Sequence, residues 1–168
     1  MHAGSPTWSQ RTVTTGPATR RLLTRALLFL LACGGTAEAR DWSGPVQRVV
    51  SADTLQIGGD TLHLWGIEAP DPKRMCRGDA GARRLCGELA REALTGLTRG
   101  AVTRCERRGT IPDFGLIAVC SANGRDLGRE LVLGGWALAE ARFEGYRTEE
   151  AAARAALRGL WATATSDP

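Results

Sequence analysis

The sequence predicts a mainly β domain with α-helices: a small five-stranded barrel capped by about three helices. Two observations lead there. Short runs rich in Val, Thr and Leu, punctuated by glycine turns, fill residues 46–67 and return at 101–106 and 115–121. Helical spacing of apolar residues appears once between those groups, at 79–97, and twice after them, at 127–133 and 149–160. Three strands, a helix, two strands and two helices is the order of a Greek-key barrel with helical caps.

The chain of 168 residues, 43% hydrophobic, holds one core and no second domain. Residues 1–39 read as a leader. Arg20, Arg21 and Arg25 precede the apolar run Ala26 to Ala32, and the small-residue site Ala37-Glu38-Ala39 follows. The run is too short for a bilayer core of about 30 Å, so a signal peptide cut after Ala39 is expected, with residues 40–168 as the domain. The export route stays open. Arg20-Arg21 fits a twin-arginine signal, Leu30-Leu31-Ala32-Cys33-Gly34 fits a lipoprotein box with a lipid anchor at Cys33, and a plain secretory leader explains both. The expected product is a periplasmic or secreted monomer with no integral membrane domain.

Removing the leader changes the charge. Of 22 Lys and Arg and 18 Asp and Glu, four arginines and one glutamate lie in 1–39. The remainder carries 18 against 17, a net +1, although the whole chain is +4 with a pI of about 9.1. A general polyanion-coating protein is therefore excluded, and only local patches can attract nucleic acid.

Val46 to Ile57 breaks at Gly58-Gly59-Asp60 and resumes as Thr61 to Ile67 with alternating polarity, which is a hairpin with a glycine turn. Asp79 to Leu97 places Ala82, Leu85, Leu89, Ala93 and Leu97 on one helical face, and Gly100 stops it. A strand is expected at Ala101 to Glu106, a loop at Arg107 to Phe114 around Gly109 and Pro112, and an apolar strand at Gly115 to Ser121. The turn Ala122-Asn123-Gly124 leads into a short helix, Leu127 to Leu133, ended by Gly134-Gly135. Glu149 to Leu160 forms the last helix, and Thr163 to Pro168 is a loose tail.

Outside the leader there are four cysteines, Cys76, Cys86, Cys105 and Cys120, an even number suited to an oxidising compartment. Of three possible pairings, 76 with 86 and 105 with 120 are favoured, because the first two flank a short loop and the others sit in neighbouring strands. Free thiols are the alternative. A four-Cys zinc site would want C-x-x-C pairs, and none is present.

Ser51-Ala52-Asp53-Thr54 and Gly66-Ile67-Glu68-Ala69-Pro70-Asp71 bring three carboxylates to neighbouring strand ends. Acids crowded at one rim suit a hard divalent cation, which takes oxygen ligands and offsets their repulsion. These segments, with Asp113-Phe114-Gly115, the stretch Arg129-Glu130-Leu131-Val132 to Gly135-Trp136-Ala137, and Gly159-Leu160-Trp161, run in the order found in one family. From about Val46 to Trp161 the chain resembles the staphylococcal nuclease, or thermonuclease-like, family.

The resemblance implies an OB-fold, hydrolysis of DNA or RNA phosphodiester bonds that depends on Ca²⁺, with Mg²⁺ as the alternative, and a metal held by Asp53, Glu68 and the Ala69 carbonyl. Glu68 stands where the family usually has Asp. Asp71 matches the glutamate that orients or deprotonates the attacking water; the plainer reading is an acid fixing the Pro70-Asp71-Pro72 turn. Both phosphate-clamping arginines are replaced, one by His63 and the other by Leu116, which donates no hydrogen bond. Losing one such donor typically costs about 10² to 10³ in kcat, so activity is expected to be weak or altered. His63 is a candidate catalytic residue or a half-buried strand residue. Arg104, Arg107 and Arg108 form a candidate nucleic-acid track or a solvated face, and Arg107 or Arg108 could stand in for a lost clamp. Trp65, Trp136 and Trp161 are read as core. The alternative function is a non-catalytic OB-fold module that binds nucleic acid or a protein.

Overall fold

A computed structural model describes residues 41–77, 82–112, 115–143 and 145–162. The leader with Arg20, Arg21 and Cys33, the expected helix start at Asp79, the Asp113-Phe114 pair and the tail at 163–168 lie outside the described residues.

The described chain is mixed α/β, with one large, mostly antiparallel sheet and three helices. Strands β1 (Trp42–Gly44), β2 (Arg48–Ser51), β3 (Thr54–Ile57) and β4 (Asp60–Leu64) open the fold. Short strands β5 (Ile67–Glu68), β6 (Met75–Arg77) and β7 (Arg83–Leu85) follow, then α1 (Cys86–Thr98), β8 (Thr103–Ile111), β9 (Gly115–Ala122) and β10 (Arg125–Asp126). Helix α2 (Leu127–Leu133), β11 (Leu138–Ala139), α3 (Arg147–Ala155) and a 3₁₀ turn (Gly159–Trp161) complete it. The sheet has seven strands in the order β1-β8-β9-β4-β3-β2, with β10 on β9, and only β4 and β9 run parallel.

Period-two burial explains which face is the core. Leu55 and Ile57 of β3, Leu62 and Leu64 of β4, and Ala118, Cys120 and Ala122 of β9 point inward with Trp42, Leu94, Leu127 and Leu131. Opposite them in register, Thr54, His63 and Ile117 share the other face of the sheet. A second cluster joins Cys76, Cys86, Leu89 and Leu160, with Trp136 and Trp161 packed against it.

Both expected disulfides form. Cys105 and Cys120 are direct cross-strand partners with Cα atoms 4.0 Å apart, and Cys76–Cys86 ties β6 to the first residue of α1. The bridges are compatible with export. Among the described residues no helix is long and apolar enough to cross a membrane.

Several boundaries depart from the expectations. Helix α1 begins at Cys86 instead of Asp79, because Arg83–Leu85 pairs with Met75–Arg77 as a hairpin. Its first turn has no side-chain cap, but the Cys86 N–H donates to the Arg74 carbonyl at 2.8 Å. The loop expected from Arg107 is strand as far as Ile111: pairing with β9 overrides Gly109, which is absorbed in a bulge between Arg107 and Gly109. The last helix ends at Ala155. There Leu157 and Gly159 take left-handed φ values of 51° and 52°, and the chain turns back onto Gly135. Leu160 N–H donates to the Gly135 carbonyl at 2.8 Å. A Cβ on Gly135 would lie 2.2 Å from the Arg158 oxygen, and one on Gly159 2.3 Å from the Gly135 oxygen. Trp65, Trp136 and Trp161 are only half-buried, and Trp42 is the tryptophan of the core.

Candidate functional site

The turn between β2 and β3 carries Asp53, and the fold makes its carboxylate a hydrogen-bond node. Ser51 Oγ donates to Oδ1 at 2.6 Å, Thr54 Oγ1 donates to Oδ1 at 2.9 Å, and the Ala69 N–H donates to Oδ2 at 2.9 Å. The last bond joins the two acidic motifs, and the Asp53 carbonyl accepts from Leu64 N–H at 2.7 Å. Thr54 has one hydroxyl hydrogen and gives it to Asp53. At 3.0 Å from His63 Nδ1 its oxygen is therefore placed to accept from that ring nitrogen.

Asp53, His63 and Glu68 line one cleft of about 660 Å³. Its floor is the outer face of β3, β4 and β9, with Thr54, Trp65 and Ile117. Residues 140–143 form a wall. Pairing of Leu138 with Glu68 and of Ala139 with Ile67 brings the wall to the rim, and Glu140 N–H donates to the Gly66 carbonyl at 2.9 Å. Among the described residues Arg142 is the only Lys or Arg in the lining, and its Nε donates to Glu140 Oε1 at 2.7 Å.

The ring of Trp65 stands 4.9 Å from that of Phe143 and 6.4 Å, edge-on, from that of Tyr146. Tyr146 Oη donates to Asp126 Oδ2 at 2.8 Å, and the other oxygen of Asp126 caps α2 by accepting from Arg129 N–H at 3.1 Å. Burial, and then the Asp126 carboxylate, push the Tyr146 phenol well above its ordinary range.

The other expected site residues sit elsewhere. Asp71 is exposed and accepts from Lys73 N–H at 2.7 Å, the bond of a turn-fixing acid. Leu116 pairs with Leu62 on the core face. Arg104, Arg107 and Arg108 are outside the cleft lining; Arg107 donates to Thr110 Oγ1 at 2.8 Å and Arg108 pairs with Glu106 at 3.7 Å. Among the described residues no three His, Cys, Asp or Glu side chains are grouped to hold a metal ion. Asp53 and Glu68 share the cleft, and the third acid of the motif is engaged in its own turn.

Sequence reasoning missed the wall. Glu140, Arg142 and Phe143 follow two-residue strand β11, which is too short for a periodic signal. The polar and aromatic run after Leu138-Ala139 is the available cue.

No protein-family model matches the chain. It is similar to the succinoglycan biosynthesis protein ExoI of Rhizobium meliloti (strain 1021), with 30% identity over 122 residues that cover 71% of this chain. The chain spans 63% of that protein's length.

Proposed function

We propose that the chain is a staphylococcal-nuclease-like protein, an exported OB-fold descended from Ca²⁺-dependent endonucleases, with weak or altered phosphodiester hydrolysis at the acid-rimmed cleft. The observation that carries this reading is the bond from Ala69 N–H to Asp53 Oδ2, which joins the two motifs on which the resemblance rests. The sheet path supports the barrel: it begins on β1 and ends on β2, which are separated only by residues 45–47 and act as two halves of one bent strand.

Asp53, Glu68 and the Ala69 carbonyl would hold Ca²⁺. The donor set is all oxygen, as that ion requires, and three hydrogen bonds to Asp53 leave one of about four lone-pair sites on its carboxylate. A bound Ca²⁺ would polarise the phosphoryl oxygens. His63, in contact with Thr54 through Nδ1 and lining the same cleft, is the candidate base for the attacking water. Arg142 is the cation in place to contact the phosphate, and Trp65 with Phe143 offers a face for a base.

A second reading has its own support. Asp53 is committed to three donors and no three-acid group forms among the described residues, which suits a non-catalytic module binding single-stranded nucleic acid in the same cleft.

The test is cleavage of single-stranded DNA and RNA by the oxidised protein with Ca²⁺ or EDTA, beside Asp53→Asn and Arg142→Ala. Ca²⁺-dependent cleavage lost in Asp53→Asn, and reduced about 10²-fold in Arg142→Ala, is the expected result. No cleavage by the parent, with oligonucleotide binding retained in EDTA, would establish the binding module instead.

A further inference from the structure

A groove of about 890 Å³ runs between β2 and the last turns of α1. Every residue from 45 to 50 lines it. Arg48, Val49 and Val50 of β2 and the three residues that lead into the strand line it in succession, so the groove runs beside the start of β2. The sheet order agrees: β2 is an end strand, partnered by β3 on one side only.

The opposite wall is a face of α1 with Arg91, Thr95, Thr98 and Arg99, continued by Val102. The lining holds three arginines, Arg48, Arg91 and Arg99, and no acid. Among the described residues none of these guanidinium groups has a hydrogen bond or ion pair. Two valines of the lining are well exposed for apolar side chains, Val50 at 42% and Val102 at 56%.

We propose that this groove is a docking site for an extended acidic peptide of a partner protein, which adds to β2 as a further strand. Each feature selects against another occupant. A strand edge offers main-chain donors and acceptors, which another peptide satisfies in a ladder and a nucleic acid does not. The guanidinium groups require acidic side chains on that peptide, and Val50 and Val102 require apolar ones. The chain's own residues 1–39, with four arginines against one glutamate, have the wrong charge. A second copy docked by a two-fold axis would set arginine against arginine. The site is separate from the acid-rimmed cleft and does not depend on the phosphodiesterase reading.

The experiment titrates the full oxidised chain into a fluorescein-labelled ten-residue peptide of alternating valine and glutamate and follows anisotropy at low salt. Two further peptides carry N-methyl groups on one or the other alternate set of amides, and a fourth alternates valine and lysine. The expected result is saturable binding of the glutamate peptide and none of the lysine peptide. One N-methylated form should lose binding and the other keep it, since only one set of amides faces β2. The Arg48→Glu, Arg91→Glu, Arg99→Glu triple variant, checked for folding by circular dichroism, should bind at least about tenfold more weakly. Absence of saturable binding, or equal binding of both N-methylated forms, overturns the proposal without relying on any variant. It is equally overturned if a single-stranded oligonucleotide displaces the peptide and loses its own binding in the triple variant.

Discussion

The acid-rimmed cleft and the arginine groove use charge in opposite ways. In the cleft Asp53 is tied to Ser51, Thr54 and Ala69, and Arg142 to Glu140. In the groove, Arg48 on β2 and Arg91 and Arg99 on the facing α1 wall have no such ties among the described residues. Groups that hold one another fix a geometry and stabilise the fold. Groups held by nothing contribute little to folding and remain available to a partner. Stability measurements should therefore separate the two regions even before a ligand is known for either.

The largest expected effect is in the cleft. Asp53→Ala removes the acceptor of three donors and should destabilise the chain by about 2–4 kcal/mol in urea denaturation. A loss below about 1 kcal/mol would mean that the node is not structural. Next comes the cleft wall. Tyr146→Phe leaves Asp126 Oδ2 without its donor and should lose about 1–2 kcal/mol.

The same phenol sets a pH dependence. Its folded-state pKa lies above the ordinary value of 10.0, so its contribution is complete below about pH 10 and is lost as pH rises through the folded value. Urea midpoints of parent and Tyr146→Phe should then converge above pH 10. The smallest effect belongs to the groove: Arg48→Ala, Arg91→Ala and Arg99→Ala should each change stability by no more than about 0.5 kcal/mol. A larger loss in any of them would show that the arginine has a folding role and would blur the contrast.

Local signals were enough wherever neighbours in sequence decide the structure. Helix α2 runs from Leu127 to Leu133 as its spacing and the following Gly134-Gly135 predict, and the cysteines pair as their positions suggest. Asp53, His63 and Glu68 share a cleft, as expected from two short motifs flanking a hairpin. Distant pairing decided the rest. Strand β8 continues through Gly109 because β9 supplies its ladder, and α1 starts late because β7 is taken by β6. Residues 140–143 join the cleft through a two-residue strand, and Arg48 meets Arg91 and Arg99 only because β2 lies against α1. Asp71 carried a catalytic expectation from motif order, yet its carboxylate serves the turn in which it stands.

Gly135 and the Arg158–Gly159 peptide touch backbone to backbone: a Cβ on Gly135 would meet the Arg158 carbonyl, and one on Gly159 the Gly135 carbonyl. Seen as heritable change, the two codons are locked together. A side chain at Gly135 pushes the Arg158 carbonyl and one at Gly159 pushes that of Gly135, so neither substitution can be accommodated by a rotamer change. Both are expected to stay glycine through sequence drift that rewrites the exposed arginines and alanines of α3, and a library randomised at both positions should return the glycine pair.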